Sequence, residues 1–192
     1  GCVPMPADQP GENGPEIEVK VRPVSYRLQA NEEGKENEMQ VATLAGGCFW
    51  CTEAVFKEVN GVHSVTSGYI GGKTENPTYQ QVCTGRTGHA EAIRIEYDPS
   101  VITYEMLLEI FFKTHDPTTR NRQGADVGTQ YRSSIFVHDD EQRRIATEII
   151  RKLDDAEIWN RPIVTRIEEA TTFYERLEER RVGKECRSRW SP

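Results

Sequence analysis

The sequence predicts an α/β (α+β) domain, a mixed β-sheet with helices packed against it. Three observations carry this. Ala90–Tyr97 alternates cleanly between two kinds of side chain, as a half-buried strand does. Val41–Ala45 and Val62–Ile70 are strand-like, and each closes on a glycine pair, Gly46-Gly47 and Gly71-Gly72. Two later segments have helical spacing, one with Leu107, Leu108, Phe111 and Phe112, the other with Ile145, Ile149 and Leu153.

Residues 1–40 read as a flexible leader. Pro4, Pro6, Pro10, Pro15, Gly11 and Gly14 break regular structure, and Asn31–Glu38 is almost wholly polar. Only Glu16–Arg22 alternates, as a short edge strand would. The folded region spans 41–174. Its first strand leads through Gly46-Gly47 into a helix over Cys48–Val59, with Val55, Phe56 and Val59 on the core stripe and Asn60-Gly61 ending it. After the second strand, Asn76 as N-cap and Pro77 at the first helical position predict a short helix over Pro77–Cys83. Thr103 caps the next helix, which Asp116-Pro117 stops. The stretch from Asp116 to Thr129 has no periodicity, and loops of that length are usually functional or disordered. Ser133–Val137 is a strand, Asp139 or Asp140 caps a last helix, and Ile163–Ile167 is a last strand. Residues 175–192 differ again. Acidic residues stand at 175, 178, 179 and 185 and basic ones at 176, 180, 181, 184, 187 and 189, which does not read as the end of a packed domain.

A chain of 192 residues gives one ordinary domain with room for tails. Its formal net charge of −7 argues against a nucleic-acid partner, because phosphate binding needs a basic surface. No apolar run approaches the length of a membrane span. A cytoplasmic protein is expected. Gly1-Cys2 offers the alternative of a lipoprotein signal remnant, with a lipid-anchored, extracytoplasmic protein. Five cysteines are too few and too scattered for a secreted disulfide scaffold, and their odd number leaves one over.

The close pair Cys48 and Cys51 carries the chemistry. Cys48 falls in the first turn of a helix, where unpaired N–H groups and the helix dipole favour an anion and so raise the thiolate fraction. A lone cysteine there would more often be a small packed residue. Cys51 shifts the balance, since residues three apart on a helix are neighbours and a tightened first turn could join them as a disulfide. Zinc would need two further ligands, and His63, His89, His115, His138 and Cys83 show no second paired spacing, so no metal is expected. A thioredoxin-like C-x-x-C motif is a stronger rival. Bulky Phe49 and Trp50 between the cysteines are unlike that motif and look like a wall for an apolar group.

Glu91 lies on the strand face of Ile93, Ile95 and Tyr97, where desolvation would raise its pKa and keep it protonated as a donor; a strand-end carboxylate reaching water is the plainer alternative. Tyr79 and Tyr131 stand near element starts, from which a phenol can reach a cleft or simply complete a core. Cys83, one turn after Tyr79, reads as a buried structural thiol.

Six blocks then fall in order: Gly47-Cys48-Phe49-Trp50, Gly68-Tyr69-Ile70-Gly71-Gly72, Asn76-Pro77-Thr78-Tyr79, Thr87-Gly88-His89-Ala90-Glu91, Tyr97-Asp98-Pro99 and Gly128-Thr129-Gln130-Tyr131-Arg132-Ser133. In order and spacing, over roughly Val41–Tyr174, the chain resembles the peptide methionine sulfoxide reductase A family. The resemblance implies a ferredoxin-like two-layer sandwich and reduction of methionine S-sulfoxide, free or in oxidised proteins, without a cofactor. Cys48 would attack the sulfoxide sulfur, Glu91 would protonate the oxygen, and Tyr79 and Tyr131 would hydrogen-bond to it. Phe49 and Trp50 would hold the methyl group, Asp126 would line the site, and thioredoxin would restore the thiols. Many members have glycine where this chain has Cys51 and take their resolving cysteine from the tail; here Cys51 would be the resolver. After Phe173-Tyr174 the family's Tyr-, His- and acid-rich covering segment gives way to a sequence that looks cloning-derived or read-through. Cys186 is therefore a poor resolver, and weaker substrate affinity is expected.

Overall fold

In the computed structural model, residues 38–176 are described. The possible strand at 16–22, Cys2 and Cys186 lie outside them. Among the described residues, eight strands, four helices and one 3-10 turn follow in order. They are β1 (Gln40–Ala45), α1 (Phe49–Phe56), β2 (Val62–Ile70), α2 (Tyr79–Cys83), β3 (Ala90–Tyr97) and α3 (Tyr104–Thr114). Then come β4 (Arg122–Gln123), β5 (Asp126–Val127), the turn η1 (Thr129–Tyr131), β6 (Ser134–Val137), α4 (Asp140–Asp155), β7 (Arg166–Glu169) and β8 (Tyr174–Glu175).

Six strands form one sheet in the order β7-β6-β1-β3-β2-β8, and only the β6–β7 pair is parallel. The β1-α1-β2-β3-α3-β6 unit with strand order β6-β1-β3-β2 is the split β-α-β arrangement of ferredoxin-like folds. Alternation along the strands separates two apolar faces. Leu44, Ile93 and Ile95 meet Phe56 of α1 and Leu107, Leu108 and Phe111 of α3 in the main core. Ala45, Ile70, Ala92 and Phe136 form the other face, against which Ala170 and Phe173 pack.

The caps explain where helices begin. Thr103 accepts a hydrogen bond from the Met106 N–H at 3.2 Å, and Asp139 accepts one from Gln142 at 2.7 Å, so each helix has a donor of its first turn satisfied. Other boundaries differ from the sequence reading for physical reasons. Asn76 has φ +44°, whereas an N-cap is extended; α2 starts two residues later, capped by Thr78 in a reciprocal capping box with Gln81. Helix α1 ends at Phe56, and Val55, placed on its core stripe, is 42% exposed. The strand expected at 163–167 lies at 166–169, because the N–H groups of Ile163 and Val164 are taken by Asp154 and by the Pro117 carbonyl. Within the aperiodic stretch, β4 and β5 form a small hairpin. The chain pairs onward past 174: Glu175 sits opposite Gly68, and the Arg176 N–H donates to the Ser67 carbonyl. Among the described residues no helix is long and apolar enough to cross a membrane.

Candidate active site

Strand β1 runs through the middle of the sheet and delivers the chain to Gly46-Gly47. Gly47 has φ +85°, and a Cβ there would lie 2.6 Å from Cγ of Gln123, so the turn requires glycine for both conformation and space. Gln123 in turn holds both backbone groups of Asp116, accepting from its N–H at 3.0 Å and donating to its carbonyl at 3.1 Å. The hairpin is thereby fixed against the turn.

Cys48 is the N-cap residue of α1. Its backbone is extended, and its side chain makes no capping hydrogen bond. Its carbonyl accepts from the N–H groups of Cys51 at 3.2 Å and Thr52 at 3.4 Å, closing the turn that carries both cysteines. The N–H of Phe49, the first in the helix, donates instead to Oε2 of Glu91 at 3.3 Å. A carboxyl on β3 thus takes the place of a cap beside Cys48, where helix geometry leaves donors unpaired.

Glu91 is 3% exposed. Burial pushes its carboxyl up to about 7; the Phe49 N–H and the Arg176 guanidinium pull it back, and Asp126 pushes it up again. Near neutral pH a substantial fraction carries a proton, the state a donor needs. The apolar-face placement read from the β3 alternation is what the structure has, with the strand-end alternative excluded by burial.

The other expected groups converge here. Burial first, then the neighbouring groups Glu91, Asp126, Cys83 and Cys48, push the Tyr131 phenol up to about 12. A hydrogen bond with Cys83, then burial, hold the Tyr79 phenol above its ordinary value. Both remain protonated donors. Phe49 is buried and Trp50 half-buried, their rings edge-on with centroids 5.7 Å apart. Asp126, half-buried on β5, stands close enough to act on both Glu91 and Tyr131. Cys51 is exposed, one turn after half-buried Cys48.

Three residues are corrected or added. Cys83, read as a buried structural thiol, is exposed and hydrogen-bonded with the Tyr79 phenol, because only Val82 of that turn points into the core. Tyr69 faces Glu91 across the β2–β3 register and tilts over Phe49 at 5.7 Å. The alternation of β3, once paired with β2, would have revealed it. Arg176, assigned to the tail, lies over three rings of the site: its guanidinium carbon is 4.9 Å from the Phe49 centroid, 4.8 Å from Trp50 and 4.7 Å from Tyr79. Its place in the charged stretch after Tyr174 led the sequence reading to count it with the tail. A hollow of about 590 Å³ lined by Leu153, Asp154, Trp159 and Arg161 contains none of these groups.

Known proteins resemble this chain over most of its length. The family model described as peptide methionine sulfoxide reductase matches residues 40–180. Peptide methionine sulfoxide reductase MsrA 1 of Rhodopirellula baltica is 61% identical over 158 residues, 82% of this chain and 74% of its own. The MsrA of Natronomonas pharaonis is 59% identical over 138 residues, covering 72% of this chain and 77% of the relative. Among solved structures, reduced Mxr1 from Saccharomyces cerevisiae matches with a TM-score of 0.69 at 36% identity, over 76% of this chain and 84% of that one. Mxr1 in complex with Trx2 matches at 0.56 and 28% identity, over 77% and 87%. With a family model spanning most of its length and relatives this similar, the chain belongs to the peptide methionine sulfoxide reductase A family.

Proposed function

We propose that this protein repairs oxidative damage by reducing methionine S-sulfoxide, free or in proteins, to methionine. Cys48 is the nucleophile, Cys51 the resolving thiol and thioredoxin the reductant. The observation that carries the reading is the bond from the Phe49 N–H to Glu91, which ties a buried acid to the start of the helix headed by Cys48. The Trx2 complex of Mxr1 supports thioredoxin as partner.

The chemistry balances in three steps. The Cys48 thiolate attacks sulfur while Glu91 gives its proton to the oxygen, and Tyr79 and Tyr131 hydrogen-bond to that oxygen. The transient bond between the two sulfurs and the substrate S–O bond then break as the oxygen passes to Cys48, leaving a Cys48 sulfenic acid and releasing methionine. The Cys51 thiol attacks the Cys48 sulfur and the sulfenic oxygen leaves as water, forming the Cys48–Cys51 disulfide, which a dithiol reopens by exchange. The rings of Phe49 and Trp50 hold the substrate methyl group, with Asp126 lining the site.

Cys51→Ser is the test. One methionine per chain is expected in a rapid burst, followed by a stall with thioredoxin as reductant, whereas the parent continues. Mass spectrometry of the parent after one equivalent of sulfoxide should show residues 48 and 51 joined with loss of two hydrogens. Full recycling by the variant with thioredoxin removes Cys51 from the resolving role.

The Arg176 guanidinium lies against the rings assigned to the methyl group, so substrate must displace it. Cation–π contact at a partly desolvated site is worth enough to change affinity by about five- to ten-fold. Arg176→Ala is expected to lower KM for methionine sulfoxide by that factor with little change in kcat. A raised KM would mean that Arg176 helps hold the substrate instead.

A further inference from the structure

Buried polar groups are nearly always hydrogen-bonded, so a buried hydroxyl without a partner needs a reason. Tyr69 has one. The residue is 2% exposed, and its hydroxyl has no hydrogen-bond partner among the described residues. Phenylalanine would fill the same space in this core without leaving a donor unpaired.

The position of that hydroxyl is informative. Tyr69 is the next-to-last residue of β2, directly opposite Glu91 on β3, and both side chains lie on the helix-facing side of the sheet. Its ring leans on Phe49, the residue after Cys48. The charged and titratable groups that act on its phenol are Arg176, Glu91, Cys83 and Tyr79, from β3, α2 and the chain after β8. All of them belong to the site. Tyr104 has a second buried, unpartnered hydroxyl, but it faces Tyr97 and Asp139, away from Cys48. Lack of a partner alone is therefore not the signal; lack of a partner inside the site is.

We propose that the Tyr69 hydroxyl is a third phenol donor to the sulfoxide oxygen, beside Tyr79 and Tyr131, and that bound substrate supplies its missing partner. The inference rests on the reductase reading and adds a catalytic residue to it. Tyr69 keeps its proton throughout: burial holds the phenol well above its ordinary range, and the proton transferred to oxygen comes from Glu91. Its contribution grows as the S–O bond breaks and negative charge gathers on oxygen, which is where a preorganised donor counts most.

Tyr69→Phe separates a substrate donor from a structural hydroxyl. Single-turnover reduction of methionine sulfoxide is expected to slow by about ten-fold or more, on the scale of losing one aimed donor. The denaturant midpoint should stay equal or rise, because an unpaired buried hydroxyl has been removed. A parent-like single-turnover rate overturns the proposal. So does a lowered midpoint, which would mean the hydroxyl is bonded within the fold. Failure of the parent chain to reduce any methionine sulfoxide would instead sink the reductase reading, so the two failures are distinguishable.

Discussion

Cys48→Ser is expected to reduce turnover of methionine sulfoxide to the uncatalysed rate. A serine hydroxyl at this N-cap would be un-ionised at neutral pH and a far weaker nucleophile toward sulfur than a thiolate. The substitution is nearly isosteric, and serine is a favoured N-cap, so the helix should hold or gain stability. Loss of activity would then reflect chemistry and not unfolding. The measurement is methionine released under single-turnover conditions, with far-ultraviolet circular dichroism as the folding control. Retained turnover would pass the nucleophile role to Cys51 or Cys83 and dismantle the assignment of the helix start.

Glu91→Gln should have the next largest effect, a fall in kcat of about 10²–10⁴-fold, the usual contribution of a positioned general acid. The amide oxygen can still accept the Phe49 N–H, so the turn keeps its geometry while losing the transferable proton. The pH dependence gives a sharper test. Burial, with Asp126, raises the Glu91 carboxyl, and the Phe49 N–H and Arg176 oppose them, for a value of about 7. The active acid is the protonated form, so kcat/KM of the parent should fall as pH climbs through about 7. That falling limb should be absent in Glu91→Gln. If it persists, another group supplies the proton.

Much of this site could be read from the sequence, and the physical reasons are local. The alternation of β3 assigned Glu91 to the buried face, since a period of two fixes sidedness once the neighbours are apolar. Thr103 and Asp139 announced α3 and α4 through their own capping bonds. Elements stabilised by distant partners were harder to see. The β4–β5 hairpin depends on Gln123 reaching back to Asp116, a contact that leaves no apolar period. The 166–169 strand begins where it does because Ile163 and Val164 have other partners. Tyr69 became informative only when strand register set it against Glu91, and Arg176 only when β8 carried it to the rings. The six motifs did not include Arg176, because the last of them ends at Ser133, well before it in the chain.

Half-buried Cys48 and exposed Cys51 are separated by one turn of α1. A bridge between them would export the oxidising equivalent from cavity to rim over a few ångströms, leaving one sulfur open to in-line strike by an incoming dithiol. Repair and recharging would then use different doorways, and the recharging partner would need only to graze the edge of α1.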